Sequence, residues 1–488
     1  RLASAGLVTA NGGSIDIGSA EGLSFATVDS PGNVSITAAG DLLFNTVSAG
    51  ADLALNSTGG SLTATGAVTG GYTQLASANG ITIGGDLTAG ALLGIDTRGA
   101  FVANGSTYTD DASIVADGGI TMASLRSGEI TRLTASDGNI LVGNLDTSGR
   151  VSATGLDVDI SSTGSLTFDE ARATSYDLRI RTGGDLNAYT LFANQDIDLA
   201  AGGTFALSGV ARGFNITVTS ADIDIGDEAQ LGVRDSTSEI ALFNGRPAQE
   251  TFIGGAHQSE AYSLDADEIT RLFADDGISL GVAGSEIASD EGHLTVGDLA
   301  LTFGTGAANI GSGGFLEIST PTEMSIVGDV ALTTASADDR FIIDPARVEL
   351  NTDTGSIAML GADSNPLGRL EVTGDTIAVG TGATLDQLAN LSDFAAINAL
   401  LDKPGGKADP LRAGTMAFNV GDGLFIQNSG ASTAADDRRG FAANGLDITT
   451  ASSATRISSN GVSLQDGTSV TGLDTAPLVR INGLVPAA

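Results

Sequence analysis

Apolar residues recur along this chain in i, i+2 pairs that enclose one small polar residue, and the pairs return every 19 or 20 residues. One track runs Ile15/Ile17, Val34/Ile36, Leu53/Leu55, then the weaker, i, i+3 spaced Tyr72/Leu75, then Leu93/Ile95, Ile114 and Leu133. A second, interleaved track runs Leu23/Phe25, Leu42/Phe44, Leu62, Ile81/Ile83, Phe101, Ile120/Met122 and Ile140/Val142. Alternate residues of a strand face opposite sides, so each pair turns inward and its middle residue meets water. Between the pairs stand Asn11-Gly12-Gly13, Pro31-Gly32-Asn33, Thr58-Gly59-Gly60, Asn79-Gly80 and Asp137-Gly138-Asn139. Gly, and to a lesser degree Asn and Asp, takes a positive φ cheaply, which predicts tight corners at these sites. Short strands joined by such corners make one coil of a parallel β-helix, and a fixed return of this length marks a solenoid. Hairpins are the competing reading of Asn-Gly, but they do not produce two tracks that each come back after a full coil. A single coil does not stand alone; the array gains its stability by stacking on neighbours.

The tracks continue through Val151, Leu166/Phe168, Leu178/Ile180, Ile197/Leu199, Phe205/Leu207, Ile216/Val218 and Ile223/Ile225, which predicts a regular shaft over residues 1–230. The period then blurs, and residues 231–266 read as a loop-rich excursion. Strand signals at Leu316/Ile318, Phe341/Ile343, Val348/Leu350 and Ile357/Met359 predict a continued, less regular β-helix over 267–383. Glu129-Ile130-Thr131-Arg132-Leu133 recurs as Glu268-Ile269-Thr270-Arg271-Leu272, which predicts a duplicated multi-coil block. Leu385, Leu388, Leu391, Phe394, Ile397 and Leu400 are spaced for an amphipathic helix near 385–402, with Thr384 and Gln387 as a capping box and Pro404-Gly405 as the stop. That helix and the loop after it form an insertion over 384–410. A distal β-rich module over 411–488 carries Met416/Phe418, Leu424/Ile426 and Leu446/Ile448.

Composition suits a narrow apolar bore: Gly supplies 68 of 488 residues, Trp is absent, and 41% of the chain is hydrophobic, too much for a disordered segment. The net charge is −37, from 22 basic and 59 acidic residues. Such a surface repels nucleic acid and anionic lipid, so neither is expected as a partner. Cys is absent, so stability has to come from stacking instead of disulfides. We read no transmembrane run, no membrane insertion and no signal peptide, and because Arg1 follows no Met we expect upstream sequence to have been removed.

A Gly-rich, cysteine-free chain of 19–20 residue β-coils resembles the large filamentous-haemagglutinin-type exoproteins of Gram-negative bacteria, over roughly residues 10–230. The segments LSDFAAINALLDKP (391–404), GDGLFIQNSGAS (421–432) and RRGFAANGLDITT (439–450) are similar to distal modules of such proteins. The family's N-terminal secretion domain, with its Asn-Pro-Asn type motif, is missing here, so the resemblance is to a shaft and distal part. It implies an all-β, right-handed parallel β-helix at the bacterial cell surface or outside the cell. It also implies two-partner secretion, with an outer-membrane transporter as one partner. The role implied is that of an adhesin or filament component. Its ligand would be a glycan or protein of a host or neighbouring cell, or further copies of the chain itself.

Two alternatives are a carbohydrate-active β-helix enzyme and a purely self-assembling fibre or surface-layer subunit. An enzyme of the polygalacturonase kind needs carboxylates, His and Arg on one face. Asp275-Asp276, Gly292-His293 and Asn351-Thr352-Asp353 supply such pieces in a different order, and Leu294 stands where Gly would follow the histidine; we therefore expect no catalysis. For metal, Asp222, Asp224, Asp227 and Glu228 are the candidate Ca²⁺ ligands, because adjacent outward carboxylates repel and a hard cation relieves that repulsion. A solvated acidic face is the other reading of these four, and no further cofactor is expected. For a partner, the excursion places Phe243, Arg246, Phe252, His257 and Tyr262 together as candidate contact residues on a projecting loop. Gly405-Gly406-Lys407 lacks the spacing of a phosphate loop.

Overall fold

In the computed structural model the two apolar tracks close into the inner columns of an all-β parallel β-solenoid of about 17 turns. The structure describes residues 8–283, 292–351, 354–380 and 411–428, and strand segments at 441–443, 445–450, 454–464, 469–470 and 479–486. The chain divides into two compact units, Arg1–Thr217 and Val218–Ala488. Among the described residues the one helix is the short Ala266–Ile269, and no helix is long and apolar enough to cross a membrane. The amphipathic helix expected near 385–402 lies outside the described residues.

In the first unit the register follows the sequence period. Leu42, Leu62, Ile81, Phe101, Ile120, Ile140, Val158, Leu178 and Ile197 are Cα partners in successive coils. None of these nine is more than 1% exposed, and burying each stabilises the stack by roughly 1.5–3 kcal/mol. The strand Val34–Ala38 shows strict alternation, with Val34, Ile36 and Ala38 buried between exposed Ser35 and Thr37. Phe25 and Phe44 stack with ring centroids 5.5 Å apart. One position of the first track departs from expectation. Thr73, not Tyr72, pairs with Leu53 and Leu93 in the bore, and Tyr72 is 45% exposed. An inward tyrosine would carry its hydroxyl into a space lined by Leu; the smaller threonine takes the place, its own hydroxyl left without a partner.

Polar residues close the corners. Inward Ser57 and Ser77 donate to the corner carbonyls of Gly40 and Gly60, at 2.8 and 2.9 Å. Outward Asp41, Asp86 and Asp185 each accept a backbone N–H from the next coil, those of Ser61, Ser106 and Thr204. Part of the acidic excess is therefore structural, since these carboxylates satisfy donors that the ladder leaves open. The corner glycines serve a different need from the one expected. Among the described residues of the first unit only Gly80 has positive φ. At Gly99 the constraint is close approach: a Cβ there would lie 1.9 Å from the carbonyl oxygen of Asn79 in the neighbouring coil. Gly99→Ala is expected to cost about 1–3 kcal/mol through this overlap, read as a lowered denaturation midpoint at unchanged slope.

In the second unit the coils lengthen. Glu239 pairs with Gly277 and Gly277 with Phe315, steps of 38 residues. Across 231–266 short strands are set among turns and bends. Glu239–Asn244 is a coil strand whose Ile240 and Leu242 face the bore. Thr251–Ile253 then pairs in parallel with Tyr262–Leu264 on one side and with Leu294–Val296 on the other. The repeated pentapeptide does not mark a repeated structure. Its first copy enters the strand Ile130–Ala135, whereas its second ends the helix Ala266–Ile269. The cause lies upstream, where Asp265 stands as N-cap three residues before Glu268 and completes a capping box that the first copy lacks.

Candidate functional site

A polar cluster of the second unit forms where the strand Asn215–Ile225 meets the helix Ala266–Ile269. Ile223 and Ile225 turn into the bore, so Asp222 and Asp224 turn out. Asp222 Oδ1 accepts the Ser263 N–H at 3.0 Å. Glu268, 5% exposed, accepts the N–H of Ile225 through Oε1 and that of Asp265 through Oε2, both at 2.8 Å. In return Asp265 Oδ1 accepts the Glu268 N–H at 2.9 Å. Burial pushes the Glu268 carboxyl up to about 7 against its two backbone donors, and Asp265 and Asp224 push in the same direction. Burial likewise raises Asp222, opposed first by its backbone donors and then by His257. The Tyr262 phenol is driven above its ordinary range by burial, then by the negative Asp222 and Glu268.

Here ligating atoms of His257, Asp265 and Glu268 lie within 4.8 Å of one another. Among the described residues the proposed quartet of Asp222, Asp224, Asp227 and Glu228 does not converge in this way. Asp222 and Asp224 border the cluster, but the chain turns after Ile225, and Asp227 is held at 2.8 Å by Arg271, which also donates to the Ile225 carbonyl. Glu228 is exposed. Sequence spacing favoured the local carboxylates; the two that meet, Asp265 and Glu268, stand about forty residues downstream of that quartet. The signal for Asp265 and Glu268 was the D-x-x-E capping pattern, which was not singled out.

The five expected contact residues do not share a projecting loop. Phe243 and Phe252 are half-buried within strands, Arg246 and His257 are exposed, and Tyr262 is 1% exposed. Tyr262 opens a strand that is buried on both faces, which removes it from any surface. The carboxylates and histidine considered for polysaccharide cleavage also stand apart. Asp275 is paired to Arg234 at 3.0 Å, and Asp276 accepts from Ser238 Oγ. The strand following them, Gly277–Val282, pairs with the first half of Phe315–Ile326, while His293 pairs with Glu323 in its second half. Asp353 lies outside the described residues.

The first unit carries a different kind of surface. Tyr72, Tyr108, Tyr176 and Tyr189, four of the chain's five tyrosines, are 43–60% exposed. At one corner the backbone N–H of Tyr176 bonds Leu156, that of Gln195 bonds Tyr176, and that of Phe214 bonds Gln195. Tyr176 and Phe214, 52% and 55% exposed, thus stand in one column two coils apart, about 9.6 Å at ~4.8 Å per coil. Beside each runs a polar neighbour: Asp177, Asp196 and Asn215. Asp177 Oδ1 accepts the Asp196 N–H at 3.2 Å, and Asn215 Nδ2 donates to Asp196 Oδ1 at 2.9 Å. Asp157 begins this column, its carboxyl raised by burial and then by Asp177. A groove of about 450 Å³ elsewhere on the unit is lined by Tyr108, Asp110, Arg126, Asp146 and Ser148, with Arg126 and Asp146 ion-paired at 3.5 Å. No family model, curated protein or solved structure matches the chain.

Proposed function

We propose that the chain is an extracellular, bacterial cell-surface β-solenoid that acts in attachment and takes hold of glycan chains through the outer face of its first unit. The observation that carries this reading is the exposed aromatic column of Tyr176 and Phe214 with Asp177, Asp196 and Asn215 alongside. A sugar offers an apolar C–H face and a rim of hydroxyls. An exposed aromatic ring meets the first, and carboxylate or amide oxygens accept from the second. Because the column steps with the coil, a linear glycan laid along it would meet Tyr176, Gln195 and Phe214 in turn, with a polar side chain beside each. Both rings are set at corners and are about half exposed, so the bore gains little from them.

This reading agrees with the resemblance to filamentous-haemagglutinin-type adhesins, and the role is one of holding without turnover. The test is a panel of polysaccharides and whole cells probed with the parent chain and with Tyr176→Ala/Phe214→Ala. Both side chains are solvent-facing, so melting should not move. Losing two stacking contacts should weaken glycan retention roughly tenfold or more. Equal retention by both proteins would remove the column from the reading, and shortening of any polymer would overturn the attachment role itself.

A further inference from the structure

We propose that His257, Asp265 and Glu268, with Asp222 beside them, form a binding site for one divalent transition-metal ion, for which Zn²⁺ is the matching probe. The inference is independent of glycan attachment, which is assigned to the other unit. The three ligating side chains come from two places in the chain and bring their ligand atoms within 4.8 Å of one another. The capping box alone explains why Asp265 meets Glu268. It does not explain His257, which comes from the preceding exposed turn, makes no hydrogen bond to the described protein and yet stands close enough to act on Asp222.

A second observation points to a ligand here. Tyr262 is 1% exposed and its hydroxyl has no hydrogen-bond partner. A buried hydroxyl without a partner costs on the order of 1–3 kcal/mol, and this one lies within electrostatic reach of Asp222 and Glu268. An ion held by the carboxylates, or a water on that ion, gives it one. The ligands keep capacity for metal. Each Glu268 oxygen accepts one backbone N–H, which leaves a lone pair, and Asp265 uses one oxygen in the cap. The donor set is mixed, one imidazole with carboxylates. Imidazole suits Zn²⁺ and its neighbours, whereas Ca²⁺ prefers oxygen throughout. The backbone bonds to Glu268 and Asp265 fix these carboxylates in place, as outer partners do at metal centres.

The full chain, stripped with a chelator and dialysed, should take up one Zn²⁺ from ZnCl₂ in calorimetric titration. Tyrosine absorption and emission should change on binding, and Tyr262→Phe should abolish that change; the chain has no Trp to mask it. His257→Ala removes an exposed side chain, so the metal-free protein should melt as the parent does, while Zn²⁺ affinity falls roughly tenfold or more. Three results would overturn the site. One is the absence of saturable binding. Another is binding that survives His257→Ala unchanged, which marks an adventitious ion only. The third is uptake of CaCl₂ in preference to ZnCl₂, which would return the chemistry to an all-oxygen acidic face.

Discussion

Ile36→Asp is expected to destabilise the first unit by about 3–5 kcal/mol, the scale of a buried charge left without a partner. Thr37→Asp, one residue on, should stay within about 0.5 kcal/mol of the parent. Ile36 is fully buried between Ile17 and Leu55 of the adjoining coils. No cation stands in that column to receive a carboxylate. Thr37 faces water between Gly18 and Asn56, so no like charge lies directly across from it. In a stacked array each coil is stabilised mainly by its neighbours, so the damage should spread along the unit. Chemical denaturation of both variants checks this. Equal midpoints would mean that the bore-facing register is shifted by one residue, since a one-residue slip exchanges every inward and outward side chain.

That register was legible because one constraint repeats. Each coil of the first unit must place an apolar residue over the one below, and the Leu42 to Ile197 column shows the constraint met without interruption. What the sequence hid follows from constraints that do not repeat. Tyr72 and Thr73 differ only in which one pairs with Leu53, a choice that the apolar pattern leaves open when a Gly pair precedes it. The corner glycines pointed to turns, but the reason at Gly99 is the carbonyl of another coil, which no local rule contains. In the second unit the steps of 38 residues exceed the window in which periodicity speaks. The extra strands Thr251–Ile253 and Tyr262–Leu264 are three residues each, too short to announce themselves. The polar cluster joins Ile225 to Glu268 across 43 residues, so nearby Asp227 and Glu228 drew attention that belonged to Asp265 and Glu268. The aromatic column was missed for a related reason: Tyr176 and Phe214 fall at corners, outside the inward tracks that organised the reading.

The repeated pentapeptide supplies a controlled comparison, and Glu268→Ala is expected to cost about 2–4 kcal/mol where Glu129→Ala costs almost nothing. Both glutamates precede the same Ile-Thr-Arg-Leu, so the local sequence is matched while the setting differs, a helix in one copy and the entry to a strand in the other. Glu129 is exposed, and it is its backbone carbonyl that serves the next coil, by accepting from Arg150. Alanine keeps that carbonyl. Glu268 is 5% exposed and its two carboxylate oxygens take the N–H groups of Ile225 and Asp265. Alanine leaves both donors without a partner, at about 1–3 kcal/mol each, with the part-buried Asp265 N–H nearer the low end. It also removes half of the capping box that turns this copy into a helix while the other stays a strand. Denaturation with chelator present keeps any bound ion out of the comparison, and amide exchange at Ile225 reports the lost bond directly, since its protection should fall in Glu268→Ala alone. Equal stability of the two alanine variants, with Ile225 exchange unchanged, would show that the Glu268 carboxylate does not hold the strand Asn215–Ile225 to the helix.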